Sequence, residues 1–314
     1  MDRHDSAPVT LRRVQRSEPR RVAGPDTQVD NKALVIAPGD FRRTDPFLLM
    51  AEDWFSSTGF DWHPHRGMET VTVVLGGVLE HGDSLGNAGT LTSGGVQWMT
   101  AGQGIIHREL AYRDEYAHTL QLWLNLPGEL KMSATHYQDL LPGDFGVYTE
   151  PGVRVEVVSG STGGSTGGST GGSAGPAATG PATTLWPVTG LFVTLDPDTT
   201  YSQLLASHDR AFAYVVSGTV TLAGHQLWEG ETAWSDPVAE PASEDDPVSE
   251  LVMTTPPGGE RTTLMLFSGR PIGEPVAAGG PFVMNSEDEL RQAFVDFESG
   301  RFGPMPRMAR VTNR

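Results

Sequence analysis

The chain has 314 residues, enough for two domains, and a formal charge of −17 from 22 basic and 39 acidic side chains, a balance that repels a nucleic-acid backbone. It has no cysteine, which excludes disulfides, thiolate metal sites, iron–sulfur clusters and cysteine nucleophiles, and its apolar runs fall far short of the ~20 residues of a membrane helix. Gly 38 and Pro 23 together make about a fifth of the residues, the mark of a turn-rich, all-β body.

The N-terminus, MDRHDSAPVTLRR, lacks the apolar segment of a secretory leader, so the expectation is a cytoplasmic protein. Residues 1–28 carry Arg12, Arg13, Arg16, Arg20 and Arg21 among prolines and read as a disordered basic tail, or alternatively as a docking arm for an acidic partner. From 29 to 159 the texture is β: Thr70–Leu75 is β-branched, Gly76-Gly77 turns the chain, and a second strand follows. Residues 160–183 begin with Ser-Thr-Gly-Gly repeats through Gly175 and continue Pro- and Ala-rich to Pro181, the composition of a flexible linker or loop insertion. Residues 184–314 form the second β segment, where Ala213–Val216 precedes Ser217-Gly218 and Thr219–Leu222 precedes Ala223-Gly224. Its Asp236–Glu250 stretch reads as a solvated acidic loop. VTVVLGGVLEHG in the first half and FAYVVSGTVTLAG in the second share a strand–turn–strand phrase, a sign of internal duplication into sandwiches or barrels. One helix is predicted: Ser286 to Glu289 forms a capping box, Leu290, Ala293, Phe294 and Phe297 share a face, and Gly300 ends the run.

Metal chemistry concentrates at His63-Pro-His65-Arg-Gly-Met-Glu69 and at Gly104-Ile-Ile-His107-Arg-Glu109. Alternate strand residues share a face, so His63, His65 and Glu69 can point together, as can His107 and Glu109. Two such pairs flanking a predicted hairpin offer imidazole and carboxylate donors suited to Fe, Mn, Zn, Cu or Ni. His81 reads as lying beyond a strand end, and His4, His118, His136 and His225 have no partner pattern. Gly102-Gln-Gly104 is followed by neither Lys-Ser/Thr nor a helix signal, which argues against a phosphate loop.

The order His-x-His-x3-Glu-x6-Gly followed by Gly-x2-His resembles the two-part metal motif of the cupins. Within them, HPHRGMETVTVVLGGVLEHGDSLGN, GVQWMTAGQGIIHREL, QLWLNLP and GPFVMN resemble the pirin family from about Ala33 to Gly303. The resemblance implies two cupin (jelly-roll) barrels in tandem with a short C-terminal helix: a metal-binding barrel over 29–159, and a second barrel, carrying the helix, over 184–314. It implies one iron, as Fe(2+), per chain, with other divalent transition metals possible, on His63, His65, His107 and Glu109. Glu69 is not a ligand in pirins and is left behind the ligands or facing substrate. Arg108 and Met68 depart from the usual family residues and should point away from the metal. Aligning Gly218 with Gly76 sets Leu205, Ser207 and Ala211 where the second barrel would need ligands, so that barrel is expected to be metal-free. The implied activity is dioxygenation of a flavonol such as quercetin, with Glu109 (or else Glu69) accepting the 3-hydroxyl proton. The alternative is a metal- or redox-dependent regulatory partner of enzymes or transcription factors. Partners are then a small aromatic substrate or a regulated protein, with neither nucleic acid nor membrane.

Overall fold

Strand Met68–Asp83 is sixteen residues long and serves both halves of one barrel. Its first half pairs with Val96–Thr100 on one side and Ala117–Asn125 on the other, and its second half pairs with Ala88–Thr92 and Ile105–Ala111. The change comes at Gly76-Gly77. Gly77 has φ +76°, and a Cβ there would lie 1.7 Å from the Tyr116 carbonyl oxygen, so only glycine lets the strand cross between partners. The computed structural model describes residues 9–56, 59–163, 177–239 and 248–304.

The chain divides into two compact units. One comprises Arg20–Asp144, Thr184–Trp186 and the chain from Ile272 onward. Around the long strand its sheet continues through Ala117–Asn125 to Phe47–Phe55, Asn31–Ile36 and Arg21–Val22, with His136–Leu140 on the far edge beside Val96–Thr100. Gly59–His65 pairs with Ile105–Ala111 and closes the end where the histidine motifs lie. The predicted helix is present as Glu287–Glu298 with its capping box formed, Ser286 accepting from the Glu289 N–H and Glu289 accepting from the Ser286 N–H. Its Leu290 and Ala293 are buried with Ile106, Phe282 and Phe302.

The other unit comprises the N-terminal residues to Pro19, Phe145–Thr183 and Pro187–Pro271. A seven-stranded sheet runs Gly146–Glu150, Val153–Ser159, Val188–Leu195, Thr262–Gly269, Arg210–Ser217, Glu231–Ser235, Arg16–Pro19. A second sheet is built around Val248–Thr254, which pairs with Thr200–Ala206, Thr219–Leu222 and Thr10–Leu11. Val153, Val155 and Val157 alternate inward from the first sheet and meet Tyr201, Val220, Leu251 and Met253 of the second across one apolar core.

Three expected boundaries change. Residues 9–28 are not a tail: Thr10–Leu11, Arg16–Pro19 and Arg21–Val22 are strands, and Arg12 is buried. The Arg12 guanidinium donates to Ser249 Oγ at 2.8 Å, Ala206 O at 2.8 Å, Asp209 O at 2.8 Å and Ser235 Oγ at 3.2 Å, and burial lowers its pKa to about 10. The C-terminal helix belongs to the unit that carries the histidine motifs rather than to the second barrel. The ends of the Gly/Ser tract are paired, with Ser161 bridging Thr179 and the Gly180 N–H donating to Gly160 O, whereas residues 164–176 lie outside the described residues. Most of the acidic stretch and His4 lie outside them too.

Candidate metal centre

Gly59–His65 and Ile105–Ala111 run antiparallel, with His63 directly opposite His107 and His65 opposite Ile105. Directly opposed residues share a sheet face, and so do residues two apart, so all three imidazoles project to one side. Ring centroids lie 4.4 Å apart for His63–His107, 4.9 Å for His63–His65 and 5.0 Å for His65–His107. One donor nitrogen from each ring falls within 4.8 Å of the others.

The ring nitrogens show what these histidines are free to do. His63 Nδ1 lies 2.7 Å from the Asp61 carbonyl and His65 Nδ1 lies 3.3 Å from the Pro281 carbonyl. A carbonyl can only accept, so both rings donate from Nδ1, and the tautomer this selects in a neutral ring has its lone pair on Nε2. His65 Nε2 and both nitrogens of His107 are buried without any hydrogen-bond partner. Burial, reinforced by His63 nearby, pushes His65 and His107 well below the ordinary histidine pKa and keeps them neutral. Three converging imidazoles, those of His65 and His107 neutral and with bare nitrogens, could hold a divalent transition metal.

Glu109 stands outside this group of three. Its carboxylate accepts from Thr72 Oγ1 at 2.8 Å and from Gln121 Nε2 at 2.6 Å. Gln121 Oε1 in turn accepts from Trp123 Nε1 at 2.9 Å, and the Trp123 ring meets His65 edge-on at 5.2 Å. The glutamate and the triad are thus joined through Gln121 and Trp123. Trp123 also lines a half-open apolar cavity of about 360 Å³, with Phe41, Leu48, Leu49, Gly279 and Val283.

Two readings need correction. Glu69 is buried on the face opposite to Thr72, accepting from Thr100 Oγ1 at 2.6 Å, so it does not face the side where Thr72 meets Glu109. His81 is not beyond a strand end. It pairs with Glu109 in register, is 1% exposed, and bonds Tyr137 Oη through Nδ1 at 2.9 Å, with Asp139 Oδ2 2.9 Å from Nε2. Its in-register pairing with Glu109 is the signal that composition alone could not supply. Arg108 does turn away, donating to Glu80 Oε1 at 2.7 Å and lying over the Trp62 ring, and Met68 packs with Leu48 and Val283. In the other unit Leu205 and Ala211 are core residues, and the carbonyl of Ser207 faces the Arg12 guanidinium at 3.4 Å.

Comparison with known proteins adds the family. The pirin model matches residues 34–124 and the pirin C-terminal cupin domain matches residues 191–303. The chain belongs to the pirin family. It is 37% identical to Pirin-1 of Arabidopsis thaliana over 88% of this chain and 86% of that protein. Among solved structures, GK1651 from Geobacillus kaustophilus superposes with TM-score 0.75 at 34% identity, covering 86% of this chain and all of that one. A quercetin 2,3-dioxygenase from Acinetobacter baumannii superposes with TM-score 0.77 at 25% identity, covering 95% of this chain and all of that one. The fold of this pirin is therefore two cupin domains in tandem with a short C-terminal helix. No helix among the described residues is long and apolar enough to cross a membrane.

Proposed function

We propose that this pirin is an iron-dependent dioxygenase acting on flavonols of the quercetin type, with one metal per chain on His63, His65 and His107. The observation that carries the reading is the convergence of three imidazoles, two of which, His65 and His107, are buried with ring nitrogens that have no hydrogen-bond partner. The likeness to a quercetin 2,3-dioxygenase along nearly the whole chain supports the substrate class. Iron, when bound, would supply Lewis acidity and a one-electron relay between the flavonol, which is the substrate oxidised, and oxygen.

The chain's own residues do the rest. Glu109 is the fourth donor and the group that takes the proton of the substrate's 3-hydroxyl. Thr72 and Gln121 aim its two oxygens by donating one hydrogen bond to each. The half-open apolar cavity beside Trp123, whose lining reaches the triad only through the Trp123 ring, offers flat aromatic rings an apolar wall and is within the size range of ligand pockets. The buried faces of His65 and His107 exclude bulk solvent from the reacting end.

Metal analysis of protein purified without added metal, followed by anaerobic mixing with a flavonol and admission of oxygen, tests this. The expected result is one equivalent of iron and oxygen uptake that scales with it. Iron-loaded protein that consumes no oxygen with any flavonol overturns the enzymatic reading. A protein partner captured only in one iron oxidation state would then favour the regulatory alternative.

A further inference from the structure

The residues that follow the first histidine pair are held by a segment more than two hundred positions later in the chain. His65 Nδ1 is bonded to Pro281 O at 3.3 Å, and the Arg66 carbonyl accepts from the Val283 N–H at 3.1 Å. The Arg66 guanidinium donates to Asp296 Oδ2 at 2.8 Å and lies 4.5 Å from the centre of the Phe302 ring. Gly67 has φ +80°, and a Cβ there would lie 2.0 Å from Val283 O, so the two backbones are in direct contact. Buried Lys131 donates to Gly67 O at 2.9 Å and to Val283 O at 3.1 Å, tying the same two stretches together.

The second histidine motif rests on this segment as well. Ile106, next to His107, is buried against Phe282, Met284, Leu290 and Phe302, and Arg66 Nε donates to Gln103 O at 2.7 Å. Asp296 is the point where these ties meet the helix: besides Arg66 it accepts from Gln292 at 2.8 Å and Arg301 at 2.6 Å. A burial-shielded, charge-assisted pair of this kind is stronger than a neutral hydrogen bond and fixes direction.

We propose that Ala277–Phe302 is a strap that fixes the Nδ1–H tautomer and the aim of His65, and that Asp296 is its latch, a positioning residue that controls how long the histidine triad holds a metal. A partner bonded to the far nitrogen of a metal-binding histidine sets which nitrogen can ligate, and losing such a partner typically costs 10–100-fold in metal affinity. The metal half of this statement rests on the proposed function; the tautomer half does not.

The test uses the full chain and the variants Asp296→Ala, Asp296→Asn and Asp296→Glu, with Phe302→Leu as an independent way to loosen the strap if Asp296→Ala does not fold. In metal-free protein, the long-range nitrogen–proton NMR spectrum of the His65 ring, assigned with His65→Gln, should show Nδ1–H in the wild type. It should show a mixture of tautomers in Asp296→Ala and Asp296→Asn. In protein loaded with Fe(2+), transfer of metal to a chelator should run ~10–100-fold faster in those variants, with Asp296→Glu restoring the wild-type rate. Circular dichroism confirms that each variant is folded. A single Nδ1–H tautomer and wild-type metal loss in folded Asp296→Asn or Phe302→Leu would overturn the proposal. Wild-type protein that binds no metal defeats the proposed metal centre, and the His65 spectrum then decides the strap by itself.

Discussion

His63 and His107 face each other across two antiparallel strands with their ring centres 4.4 Å apart, closer than either is to His65. Such crowding of imidazoles costs desolvation and gains nothing unless something binds between them. Removing one member should therefore be selective. His107→Ala is expected to leave the fold intact and to weaken metal binding by more than the ~100-fold that loss of an outer partner can reach. Elemental analysis after gel filtration checks it, and full retention of metal would refute the assignment of the site.

Asp53 gives a pH dependence with a definite sign. It is 2% exposed, its Oδ1 takes no hydrogen bond, and Lys32 approaches only to 3.8 Å while also bonding Asp26 at 3.0 Å. Desolvation therefore outweighs the lysine and raises Asp53 from 3.8 to about 7. Between those values the folded chain keeps a proton that the unfolded chain has released, so stability from this group is greatest below about pH 4 and falls until about pH 7. Asp53→Asn should remove a slope of up to ~1.4 kcal/mol per pH unit across that window. Denaturant titrations of both proteins at pH 4.5, 6 and 7.5 compare them, and identical pH profiles would contradict the raised carboxyl.

Much of this site was legible because strand parity is local. His-x-His on one strand and His107 on its neighbour need only the two-residue period, and the Ser286–Glu289 capping box needs only three residues of context. Glu69 was misplaced because that count does not survive the break at Arg66-Gly67. One strand ends at His65, the next begins at Met68, and Gly67 turns through positive φ between them. His81 was missed for a different reason: it was read as lying beyond a strand end, whereas the strand runs on through Asp83, with Val78–Gly82 paired to Ala88–Thr92, and sets His81 opposite Glu109. Arg12 was illegible for a different one. Its partners, Ala206, Asp209, Ser235 and Ser249, lie about two hundred residues away and are mostly backbone carbonyls and hydroxyls with no charge pattern to announce them.

The buried arginine should matter to stability. Arg12→Ala strips one donor each from the Ala206, Asp209 and Ser235 carbonyls and from Ser249; the Ala206 carbonyl keeps its bond from the Asp209 N–H and Ser249 Oγ its bond to Leu205 O, while buried acceptors left unpaired cost ~1–3 kcal/mol each. Water entering the vacated space will satisfy some of them, so a net loss of ~3 kcal/mol is expected. Calorimetry checks the value. An unchanged melting curve would show that the bonds of the Arg12 side chain add nothing to stability.

The Gly/Ser tract should divide into two parts with different costs. Thr162 is buried, its N–H donates to Ala178 O, and its carbonyl accepts from Gln203 Nε2 at 2.9 Å. Shortening residues 164–175 to four residues should change stability by less than ~1 kcal/mol, since closure entropy varies slowly with loop length. Extending the deletion through Gly160–Gly163 should cost several times more. Equal losses for the two deletions, measured by urea titration, would be the contrary result.

Two of the buried glutamates, Glu109 and Glu69, separate proton transfer from mere presence of a carboxylate. Glu109 is joined to the triad through Gln121 and Trp123, whereas Glu69 bonds Thr100 on the opposite face of its strand. Glu109→Gln keeps the shape and the bonds to Thr72 and Gln121 can rearrange, but no base is left, so flavonol-dependent oxygen uptake at saturating iron should fall by ~10²–10⁴-fold. Glu69→Gln should leave uptake and iron content within about twofold, because it removes only a charge-assisted bond worth ~1.5–3 kcal/mol to stability. Both variants are compared with the wild type at matched iron loading, so that loss of a ligand is not mistaken for loss of a base. Uptake that survives in Glu109→Gln and collapses in Glu69→Gln would move the proton acceptor to the other side of the sheet, and the geometry around Thr72 and Gln121 would then have no catalytic meaning.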